Sequence, residues 1–342
     1  MTHGDAADLR LLTDTAAEIF LAAEGQPLDG GWRPVREAGL DLLAVPEPLG
    51  GGWLQAAAEM TRVAGDTAVA LPYADTALVA KPLLAHAGLV VPDGPCAAAA
   101  GTLVAEPADG KLRVRGTLRR VPWGAAAGRI VAVAAAVDGD VLLALDPSRA
   151  SVSPGVNLAG EPRETVAVDT VAELGVDAAS LPAGGAVVLR RGALARSLLI
   201  AGAASAVLRA TSRYALERVQ FGRPIAKQQA VQHALAEIAA ETEAVRAASA
   251  AAVEVCASDG FGSAAAETAI AVAKIQAGTS AEVVARLAHQ VHGAIGTTRE
   301  HPLHRHTLRL WSWRDEYGPE RHWARSLGEA ALAAGPWELV TR

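Results

Sequence analysis

Apolar positions in the last third of the chain recur at helical spacing: Ala230, Val231, Ala234, Leu235, Ile238 and Ala239 fall on one stripe. This periodicity and its breaks predict helices over about 192–218, 226–257, 263–292, 302–314 and 319–334, with Gly260 to Gly262 the sharpest interruption. The short connections suit an antiparallel four-helix bundle over about 189–342. The middle of the chain has another rhythm. GTLVAEP, KLRVRGTLRRV, RIVAVAAAV, DVLLALD, TVAVDTV and GAVVLR are short β-rich runs separated by Gly, Asp and Pro, which predicts strands and a small β domain over about 100–188. Upstream, about 6–23, 31–38 and 52–67 read as helices, broken at PLDGGW and PEPLGGG, within an N-terminal helical domain over about 1–99. The expected fold class is α+β, mostly α.

Composition supports several packed units. The chain has 342 residues, more than a single core usually holds. It is 51% hydrophobic but only 4% aromatic, and its abundant alanine favours close-packed helices because alanine loses no side-chain entropy there. A net charge of -6, with arginines scattered among acids, leaves no basic footprint for nucleic acid. Cys96 and Cys256 stand alone, without metal-ligand or CxxC spacing, and read as buried thiols. The N-terminus is amphipathic and acidic early, unlike a signal peptide, and the alanine-rich stretches read as interrupted by charge before they could span a bilayer. The expectation is a soluble, cytoplasmic protein without a membrane segment.

The segment with the most chemistry is 218–233, RVQFGRPIAKQQAVQH. Arg218 offers a fork of donors suited to pyrophosphate oxygens, Phe221 an aromatic face, and Gln229 an amide that bridges polar groups. Gly222 and Pro224 turn the chain between two helices. YALERVQFGRPIAKQQAVQH resembles the acyl-CoA dehydrogenase signature. VREAGLDLLAVPEPLGGG and QVHGAIGTTREHPLHRH resemble two further stretches of that family, in the same order. The resemblance covers nearly the whole chain. It implies FAD as cofactor, an acyl-CoA substrate, and Arg218, Phe221, Gln229, Gln290 and Gly293 as residues that reach FAD held by a neighbouring subunit.

The departures from the family pattern are equally specific. The reaction needs a carboxylate to take a proton from the carbon beside the thioester. The two positions where the family carries it correspond to Tyr317 and Gly192, and neither is acidic. Glu316 is the fallback base, against a plain reading of Asp315 and Glu316 as a solvated pair at a helix end. Pro319 replaces a flavin-holding hydroxyl residue. VAEPADGKLR lacks the Ser-Asp that contacts the flavin ring, and Trp123 is either a tryptophan beside the flavin or a core aromatic. These losses resemble the short subunit of actinobacterial α2β2 acyl-CoA dehydrogenases, several of which degrade steroid side chains. The implied partner is a full-length acyl-CoA dehydrogenase subunit. The alternatives are a self-sufficient homotetramer using Glu316 and a flavin-free structural relative. His301, His304, His306 and His322 lack a zinc spacing and read as surface or interface residues. Trp311, Trp313 and Trp323 read as packing residues or subunit contacts, and the glycines at 30–31 and 50–52 as loops.

Overall fold

The computed structural model describes residues 6–182 and 184–335. Two compact units divide the chain: 1–61 with 69–195, and 62–68 with 196–342. The first unit holds α1 (Ala6–Ala22), α2 (Leu28–Glu37), most of α3 (Leu54–Thr67), a π-helical turn (Asp75–Ala80) running into α4 (Lys81–His86), and a sheet. Phe20, Trp32, Leu40, Met60, Tyr73 and Leu84 form the helical core. Lys81 donates to Asp41 at 2.5 Å, a fully buried pair. The Thr76 hydroxyl bonds both backbone groups of Cys96, fixing the start of the sheet against the π-helical turn.

The strands are β1 (Cys96–Ala108), β2 (Lys111–Pro122), β3 (Arg129–Ala136), β4 (Gly139–Leu145), β5 (Ser151–Ser153), β6 (Arg163–Ala172) and β7 (Ala178–Ser180). They order as β5-β6-β2-β1-β3-β4-β7, with β1 and β3 parallel and the other neighbours antiparallel. Leu103, Val114, Leu118, Ile130, Leu143 and Val166 fill its core. The run GAVVLR is not a strand. Its residues open α5 (Ala186–Glu217), because the apolar run continues at helical spacing for 32 residues instead of stopping after five or six. The short β5 and β7 and the 75–86 helical stretch were not resolved as elements by sequence pattern.

The second unit is helical. It contains the later part of α5, then a two-stranded ribbon, β8 (Val219–Gln220) and β9 (Arg223–Pro224), then α6 (Gln229–Asp259), α7 (Ala264–His292), α8 (Leu303–Arg314) and α9 (Glu320–Ala334). These bounds lie within a few residues of those read from periodicity. Gly260 ends α6 with φ 76°, and the Ser263 hydroxyl accepts from Ala266 N to cap α7. A methyl group at Gly65 would overlap the Leu199 carbonyl, and one at Gly202 the Arg62 carbonyl, so segment 62–68 meets α5 backbone to backbone. α5 is long and apolar enough to cross a membrane, contrary to the expectation from charge spacing, but 78% of that apolar window is buried inside the protein.

Candidate cofactor half-site and a closed carboxylate corner

The ribbon β8–β9 is exposed, save for the half-buried Pro224. Its turn residues, Phe221 and Gly222, have φ of 51° and 75°, the sign required at both positions of the tight turn favoured between twisted strands. Glycine adopts this conformation freely, whereas phenylalanine is strained in it. The Phe221 side chain is nevertheless 92% exposed. Buried Ile225, whose N–H donates to the Arg218 carbonyl at 2.8 Å, anchors the ribbon base.

Most arginines of the unit with a carboxylate nearby lie away from the ribbon. Arg209, Arg246, Arg286, Arg314 and Arg325 all lie within 4 Å of a carboxylate. Arg213, Arg218, Arg223 and Lys227 are exposed and have no carboxylate partner among the described residues. Arg299 and Arg321 are exposed and unpaired as well among the described residues. Gln229 is exposed at the first position of α6, and Gln228 before it makes no side-chain cap bond. At the end of α7, Gln290 is exposed and Gly293 has φ 65° and ψ −146°, accessible only without a Cβ. The ends of α5 and α7 touch through Tyr214, whose hydroxyl donates to the His292 carbonyl at 3.2 Å. This set could hold a dinucleotide: free guanidinium donors for phosphates, an open aromatic face, two amides, and a backbone without a side chain.

Glu316 has the opposite character. Of the acidic pair expected to be solvated, Asp315 is exposed, but Glu316 is only 6% exposed and pairs with Arg196 Nε at 2.5 Å. Arg196, on α5, is 1% exposed and lies 5.0 Å above the Tyr317 ring. Periodicity could not have exposed this arginine, which occupies an ordinary helical position 120 residues from its partner. Nearby, Lys274 is fully buried and donates to the Arg314 carbonyl at 2.5 Å. Burial pulls its pKa down to about 8, against the pull of Glu320 and Glu316 in the other direction. Arg314 bonds Glu320 at 2.5 Å, and Trp323 Nε1 donates to the Tyr317 carbonyl at 3.0 Å. A carboxylate already shared with a guanidinium, which does not give up its proton, is a poor proton acceptor. Gly192 lies buried within α5, and Pro319 caps α9.

In the first unit, the stretch VAEPADGKLR closes as a two-residue turn. Ala108 pairs with Lys111 across Asp109 and Gly110, whose φ values are 48° and 75°. A longer loop with hydroxyl side chains has no counterpart there. Trp123 is half-buried, with φ 54°. Cys96 and Cys256 are buried thiols outside any disulfide, and burial pushes the Cys96 thiol up to about 12. The histidines have separate partners: His304 faces the His301 carbonyl at 2.7 Å and His306 the Asp66 carbonyl at 2.9 Å. Trp313 and Trp323 are buried packing residues.

Residues 185–314 match the family described as acyl-CoA dehydrogenase, C-terminal domain. The match covers most of the helical unit and the start of α5. The chain as a whole has the acyl-CoA dehydrogenase fold. It is 28% identical over 309 residues to acyl-CoA dehydrogenase FadE27 of Mycobacterium tuberculosis, covering 81% of each chain. It superposes on a chain of the ChsE4-ChsE5 complex from Mycobacterium tuberculosis with a TM-score of 0.87 at 22% identity, over 97% of this chain and 99% of that one. It superposes on a chain of the Tcur3481-Tcur3483 steroid ACAD G363A variant with a TM-score of 0.85 at 26% identity, over 96% and 99%. The likeness in fold therefore extends through both units.

Proposed function

We propose that this chain is the non-catalytic subunit of a heteromeric, FAD-dependent acyl-CoA dehydrogenase, lending half of a cofactor site to a full-length partner that supplies the base. The reaction is α,β-desaturation of a CoA thioester, with a bulky, steroid-type acyl group suggested by the steroid ACAD relative. Bound FAD would supply the two-electron acceptor. Arg218 would hold the pyrophosphate, Phe221 would pack on the adenosine portion, and Gln229, Gln290 and the Gly293 backbone would bond its polar groups. The observation that carries this reading is the ribbon itself: a strained, fully displayed phenylalanine amid cations left without carboxylates. Strain of this kind is kept where function requires it.

Locking of Glu316 by Arg196 weighs against a self-sufficient enzyme. The test is expression with and without a full-length homologue carrying a glutamate at a base position. The expected result is no desaturase activity alone and, in the complex, one FAD per two chains that is lost in Arg218→Ala. A yellow, active protein from this chain by itself would overturn the proposal. Flavin content unchanged by Arg218→Ala would favour a structural role instead.

A further inference from the structure

Behind the exposed cofactor residues lies a stack of three rings. Tyr214 on α5 and His292, the last residue of α7, lie face to face with centroids 4.4 Å apart and planes at 21°. His301, just before α8, meets His292 edge-on at 4.8 Å and Tyr214 at 6.1 Å. The Tyr214 hydroxyl donates to the His292 carbonyl, and the Tyr214 carbonyl accepts from Arg218 N at 2.8 Å. The stack therefore ties the backbone that carries Arg218 to the backbone that turns at Gly293.

His292 is 3% exposed. Its Nδ1 lies 2.8 Å from the Ala288 carbonyl, which only accepts, so Nδ1 carries the hydrogen. Nε2 is buried without a partner among the described residues. A neutral ring leaves a lone pair unsatisfied there, whereas an imidazolium would bury a charged N–H with no acceptor, at far greater cost. Among the described residues, the titratable groups facing the ring are Tyr214 from α5, His301 from the segment before α8, and His289 on its own helix, none of them a carboxylate. Burial holds the His292 pKa below its ordinary value; the Ala288 carbonyl opposes this, and His301 and His289 reinforce it.

We propose that Tyr214, His292 and His301 form an acid-sensitive latch that holds the Arg218 and Gly293 segments together while His292 is neutral and opens when His292 takes up a proton. The consequence for FAD release rests on the proposed function; the latch itself does not. A base that stays neutral when packed contributes stability present above about pH 6.5 and lost as pH falls from there toward its folded value.

The test is amide hydrogen exchange on the full chain, normalised for the chemical exchange rate. Exchange at 214–224 and 290–297 is expected to rise about tenfold per pH unit below about pH 6.5, while the interior of α6 stays protected. His292→Phe, which keeps a stacking ring, should remove that slope. Exchange independent of pH, or an equal slope in His292→Phe, overturns the latch. Should His292→Phe fail to fold, the imidazole titration of the wild-type chain decides: its midpoint must track the loss of protection, and protection unchanged through that midpoint refutes the proposal. In the two-chain complex loaded with FAD, acid should release flavin from wild type and not from His292→Phe. Insensitivity of flavin content to Arg218→Ala at pH 7.5 would instead sink the cofactor reading while leaving the exchange result standing.

Discussion

Two parts of the helical unit use arginine in opposite ways. At the ribbon, Arg218 and its neighbours are exposed without carboxylates, around a phenylalanine held in the left-handed region. At the α8–α9 corner, Arg196 is buried and committed to Glu316, beside a buried lysine. The first arrangement keeps donors available to something outside the chain. The second neutralises the nearest candidate base from within. On the proposed reading, the fold keeps half of a site and closes the other half with a single buried cation.

The largest expected effect comes from the closed corner. Arg196→Met leaves Glu316 buried without its partner and should lower stability by about 3–5 kcal/mol, measured by urea unfolding. Adding Glu316→Leu should restore much of that loss, since a neutral pair removes the stranded charge. A loss confined to a few tenths would mean that the corner is open to water.

Next is a pH effect. Lys274 has a folded pKa of about 8, below its ordinary value, so the unfolded chain binds more protons between about pH 8 and 10. Stability should therefore rise with pH across that window by up to about 2–3 kcal/mol, and Lys274→Met should flatten the slope.

At the open ribbon the signs divide. Arg218→Ala should raise the FAD dissociation constant of the assembled complex by roughly 10- to 100-fold, the worth of a charge-assisted bond. Its effect on unfolding of the isolated chain should stay within about 0.5 kcal/mol, as for other exposed positions. The other ribbon variant, Phe221→Gly, should change stability in the opposite direction from most substitutions. Relief of left-handed strain should stabilise the chain by about 1 kcal/mol while flavin retention falls. A variant that lost both stability and flavin would show that Phe221 serves the fold.

The bundle was legible because its helices are long, periodic and ended by residues with a clear physical reason, such as Gly260 and Gly293. Arg218, Phe221, Gln229, Gln290 and Gly293 could be nominated from sequence because they stand in contiguous motifs, and the structure leaves the four side chains exposed. GAVVLR misled because a short apolar run looks alike at the start of a buried helix and in a strand. Glu316 misled because an acidic pair gives no sign that one member turns inward to an arginine 120 residues away. The ring stack joins Tyr214, His292 and His301 from three segments, and no local pattern relates them.

The glycine crossing of segment 62–68 with α5 bears on how the protein is made. Leu199 and Gly202 leave the ribosome well over a hundred residues after Gly65, so at usual translation speeds the end of α3 waits roughly ten seconds or more for its backbone partner. During that interval Val63 and Ala64, buried in the folded chain, lack their final packing. A recombinant fragment starting at Arg196 would lack the piece altogether, so the helical half should be produced with residues 62–68 supplied.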